Sequence, residues 1–72
     1  MKTELLHQSD KMNAIAIELE QALKHAKIAA NHFLDSEVPR ACAHTLAVQG
    51  HLAVIDELLI AVAKLHKTKS IV

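Results

Sequence analysis

Aromatic residues are almost missing from this sequence: Phe33 stands alone, with no tryptophan and no tyrosine. That removes the stacking platform on which single-stranded nucleic acids lie. Glycine and proline occur once each, as Gly50 and Pro39, which excludes a glycine-rich phosphate loop and leaves little material for turns. Cys42 is the lone cysteine, so no disulfide can close within the chain, and the cysteine and histidine spacing makes no four-ligand zinc pattern. Eight lysines and arginines balance eight carboxylates. The one close group of bases, Lys64, Lys67 and Lys69, falls where cations complement a helix C-terminus, not in the clustered basic surface that phosphate contacts require. The opening residues carry no apolar stretch ahead of their charges; no secretory signal is expected, and a cytoplasmic location is.

What is present is helix chemistry, with alanine, leucine, isoleucine and lysine dominant. From Thr3 to Leu34 apolar residues recur every seven: Leu5, Met12, Leu19, Ala26 and Phe33 at heptad position a, with Ile15, Ala22 and Ala29 at d. Ala16, Leu23 and Ala30 at e widen this to the face of a bundle helix. Glu4, Lys11, Glu18, His25 and His32 occupy g, and Glu20 and Lys24 form an i,i+4 pair on the outside. The run Asp35-Ser36-Glu37-Val38-Pro39 interrupts the pattern. Asp35 or Ser36 is expected to cap a second helix, with Glu37 adding a favourable anion and Pro39 tolerated only in the first turn. That helix then runs from about 37 to 67, with heptad sets Val38, Thr45, Leu52, Leu59, His66 and Ala41, Val48, Ile55, Val62. Residues 70–72 read as a frayed tail.

The expected fold is therefore all-α: an antiparallel hairpin of two long helices, about 3–34 and 37–67, each roughly 45 Å long. A single domain this short buries only about 60% of its unfolded surface, and association is the expected supplement. In the stretch 41–63 the only formal charges are Asp56 and Glu57. Its apolar arc covers roughly half the helix circumference, wider than the ~100° that one neighbour can cover. Two hairpins are expected to dimerise into a four-helix bundle about a twofold axis, with Leu19, Val48, Leu52, Ile55, Leu59 and Val62 in the dimer core. The same stretch is long enough to span a bilayer, but His44, Gln49, His51, Asp56 and Glu57 make that costly, and no membrane is expected.

Six histidines are present. His44 and His51 lie seven apart inside the apolar arc. If residues equidistant from the turn face one another, His44 meets Ala29 and His51 meets Ala22, with His25 and His32 flanking the same layers from the edge of helix one. Two readings follow. The histidines are neutral, fill space opposite alanines and find hydrogen-bond partners; or His25, His32, His44 and His51 hold a transition metal such as zinc between helices. No carboxylate is expected on that face, which argues against a di-iron site. A second set, Glu4, His7 and His66, falls at the open end of the hairpin as a surface metal site. Cys42 lies in the first turns of helix two, where the helix dipole lowers a thiol pKa, but His44 points about 160° away and supplies no base. No enzyme activity is expected.

Two strips lie outside the heptad seams: Leu6, Ile17 and Ile28 on helix one, and Leu46, Ala53 and Ile60 on helix two. Such strips suit a partner protein. The sequence thus points first to a small non-enzymatic protein-interaction or regulatory module acting as a homodimer without a cofactor. The alternative is a metal- or cofactor-binding bundle that uses the histidines. An RNA-binding bundle is third, and the balanced charge weighs against it.

Overall fold

The computed structural model describes residues 2–69, with side chains over 3–64. Two helices, α1 (Lys2–Leu34) and α2 (Val38–Lys69), run antiparallel and pack along their length. The hairpin measures 55 × 17 × 12 Å.

The turn departs from the sequence expectation. Ser36 N–H donates to the Phe33 carbonyl (3.1 Å) and Glu37 N–H to the His32 carbonyl (2.8 Å), with Ser36 in the left-handed region at φ 59°. This is a Schellman ending, which satisfies the last carbonyls of α1. Asp35 and Ser36 therefore complete α1 instead of capping α2. The first bond of α2 runs from Ala41 N–H to the Glu37 carbonyl (3.0 Å), so Glu37 is the residue at its entrance. Pro39 falls in the first turn, where its missing N–H costs nothing.

Glycine is absent where the backbone asks for it and present where it does not. Ser36 carries a Cβ in a conformation that costs an L-residue roughly 1–2 kcal/mol. Gly50 lies mid-helix with nothing within 4 Å of where a Cβ would stand. Ser36→Gly and Gly50→Ala are each expected to stabilise the fold by about 0.5–1 kcal/mol, additively because the sites are remote from one another. Urea denaturation checks this; a lowered midpoint in either variant would contradict the turn geometry or the open helix face.

Among the described residues only Ile15, Ala22, Ala29, Ala41 and Ile55 are buried. They form one heptad column from each helix, and the half-buried Val48 and Val62 continue the α2 column. Alanines let the backbones approach closely but supply little apolar area. Gln8, one heptad before Ile15, ends the α1 column with its Oε1 shielded from solvent and no hydrogen-bond partner among the described residues.

Everything else is arranged by angular distance from this seam. Residues three after a seam position lie about 60° to one side and those four after about 40° to the other. In an antiparallel pair the same step reaches the same face on both helices. One face thus collects Glu18, His25 and His32 with His44 and His51. The opposite face collects Leu5, Met12, Leu19 and Phe33 with Val38, Leu52 and Leu59.

Candidate functional site

The polar face is a ladder of imidazoles closed at each end by a carboxylate. His51 Nδ1 is hydrogen-bonded to Glu18 Oε2. The His51 ring stacks on His25, with centroids 5.5 Å apart and planes inclined by 23°. His25 stacks in turn on His44 at 5.1 Å, and their Nδ1 atoms are 2.9 Å apart, a hydrogen bond. His44 stacks on His32 at 5.5 Å and 16°. His32 Nδ1 lies 3.7 Å from Glu37 Oε2, which also accepts a 2.9 Å contact from Arg40 Nη1. The rungs alternate between helices, so the ladder stitches α1 to α2 along one flank of the seam.

This revises the expected surroundings of the histidines. They are half-buried, not buried; they stack on one another, His25 and His44 share a hydrogen bond, and His51 and His32 meet carboxylates. Carboxylates do share their face, because Glu18 stands one heptad before His25 in the same column and Glu37 follows the turn directly. The regular Glu18, His25, His32 spacing was the signal. It becomes legible only once His44 and His51 are known to lean toward the same side.

The Nδ1···Nδ1 bond sets a rule. One ring must donate a proton and the other accept with a lone pair, so His25 and His44 hold different tautomers. The rings stack in a line and do not converge on one point. Among the described residues no group of three or more histidine, cysteine, aspartate or glutamate side chains is placed to hold a metal ion. Of the second proposed metal set, Glu4 and His7 are exposed, and the His66 side chain lies outside the described residues. Cys42 is a free, exposed thiol.

The opposite face is apolar and open. Leu5, Met12, Leu19, Phe33, Val38, Leu52 and Leu59 each retain between 46% and 59% of their surface. The residues expected in a dimer core divide accordingly: Val48, Ile55 and Val62 belong to the seam within one hairpin, while Leu19, Leu52 and Leu59 lie on the open face. Of the outer strips, Leu6, Ile17, Leu46 and Ile60 are exposed, whereas Ile28 is half-buried beside the ladder.

No family model, curated protein or solved structure matches this chain. Its class is accordingly defined by geometry: a two-helix hairpin with a carboxylate-ended histidine ladder on one face and an open heptad face on the other.

Proposed function

We propose that the chain is a non-enzymatic protein-interaction module that works as a homodimer, two hairpins joined through their open faces into a four-helix bundle. The observation that carries this is the open heptad face itself, whose large apolar residues recur at heptad positions on both helices as bundle cores do. Surface area supports it. The chain exposes 5523 Å², against about 4,400 Å² for a compact monomer of its mass. Its radius of gyration is 16.5 Å, against about 11 Å for a compact domain of this length. The excess is of the order that one partner contributes to a standard interface, about 800 Å².

Lipid is the competing occupant, since Val38–Lys64 is long and apolar enough to cross a membrane. But α1 packs along the same length and carries Asp10, Lys11, Glu18, Glu20, Lys24 and Lys27, charges that would enter the bilayer with it at high cost. A second copy covers the leucines without that penalty.

The outer strips, Leu6 and Ile17 on one helix and Leu46 and Ile60 on the other, remain for a partner protein. Ile17→Lys with Ile60→Glu is expected to leave helicity and dimer mass unchanged, because exposed substitutions usually move stability by no more than about 0.5 kcal/mol, while capture of a host protein is lost. Sedimentation and pull-down of the same variant separate the two effects. Dissociation of this variant would assign the strips to the assembly and leave no partner site.

A further inference from the structure

We propose that the ladder is an acid-labile latch between the helices, with the His25–His44 pair as its sensitive rung. The inference rests on the hairpin alone and holds whether or not a second copy is bound.

The argument is a proton count. With both rings neutral, one carries its proton on Nδ1 and donates it to the bare Nδ1 of the other, 2.9 Å away. A first added proton goes to the free Nε2 of the donor ring and leaves this bond in place. A second has only the accepting Nδ1 left, and there it sets two N–H groups facing each other. The central rung takes one proton and opens on the second.

The ends of the ladder differ. A proton on His51 meets the Glu18 carboxylate, and one on His32 meets Glu37, itself held by Arg40. Among the described residues the centre has no carboxylate: His25 is stacked between His51 and His44, and His44 between His25 and His32. Lys11 continues the α1 column beyond Glu18, and Leu58 continues the α2 column beyond His51. Full protonation would therefore align four cations at 5.1–5.5 Å steps with counter-charges only at the two ends. In the unfolded chain each histidine accepts a proton independently near pH ~6.5. The unfolded chain accepts the second of these two protons freely, whereas in the hairpin that proton opens the central rung, so its uptake favours the unfolded chain and stability falls as pH falls.

Thermal midpoints of the full chain at pH 7.5 and pH 5, at one protein concentration, test the latch. Wild type is expected to lose about 4–8 °C, the shift that loss of one hydrogen-bonded rung produces. The paired variant His25→Leu with His44→Leu should lose less than half as much, and Glu18→Gln with Glu37→Gln should lose more. His7→Ala, outside the ladder, should match wild type. Independently of any variant, nitrogen-15 NMR of wild type should show scalar coupling across the His25–His44 bond at pH 7.5 that vanishes by pH 5. A flat wild-type midpoint, an equal loss in the leucine pair, or no coupling at pH 7.5 would overturn the latch. Sedimentation mass at pH 7.5 reports on the dimer separately.

Discussion

Ile55→Asp is expected to unfold the hairpin outright. Ile55 retains 7% of its surface and lies in the α2 column of the only buried seam among the described residues. A carboxylate there has no described basic side chain in the seam to pair with, and leaving a buried charge unpaired costs about 3–5 kcal/mol. A domain of this size has only roughly 4–11 kcal/mol of stability to lose, and here three of the five buried seam residues are alanine. Circular dichroism should show collapse of the helical signal at 25 °C, or a melt displaced by tens of degrees. Ile60→Asp, 53% exposed on the outer side, is the control and should behave as wild type. If Ile55→Asp keeps wild-type helicity and midpoint, the packing described here is wrong.

Leu52→Asp should be nearly as damaging, for a different reason. Within one hairpin Leu52 is half exposed, and a substitution there would shift stability by no more than about 0.5 kcal/mol. In the proposed dimer it sits mid-way along the joined faces, and twofold symmetry introduces the charge twice. The dimer is then expected to weaken by about 30- to 1,000-fold, as hot-spot substitutions of about 2–4 kcal/mol imply. Folding should fail with it at micromolar concentrations, because the seam alone buries so little. Sedimentation velocity and circular dichroism on the same samples distinguish the cases. A folded Leu52→Asp chain of unchanged mass would mean that the open face is not an interface.

Much of the hairpin was legible in the residue pattern. The d column Ile15, Ala22, Ala29 and the α2 set Ala41, Val48, Ile55, Val62 form the seam, and both helices begin and end within two residues of the expected limits. The turn is less legible, because Asp35 and Ser36 suit a helix start as well as a helix end. The unsatisfied carbonyls of α1 compete for the same two residues and win. The broad arc of α2 raises the expectation of a second neighbour, but periodicity cannot say which half of an arc faces the chain's own partner. Leu52 and Ile55 look alike in sequence; three positions round a helix place one in the seam and the other on the open face.

The histidines show the same limit. Their seven-residue spacings were visible, as was Glu18 in the column of His25 and His32. Pairing them required knowing that both columns lie on one side of the seam, which is a property of two helices together. Matched by distance from the turn, His44 and His51 face alanines; placed by the side of the seam they lean toward, they interleave with His25 and His32 and end on Glu18 and Glu37.

Sedimentation equilibrium of the wild-type chain at pH 7.5, with melts recorded over a hundredfold range of concentration, tests the central claim most directly. Two hairpins joined through the Leu19, Leu52 and Leu59 face give a mass of twice the 7.9 kDa chain and a midpoint that climbs with concentration, since folding and association are coupled. A species of 7.9 kDa that melts cooperatively at a concentration-independent temperature would contradict it.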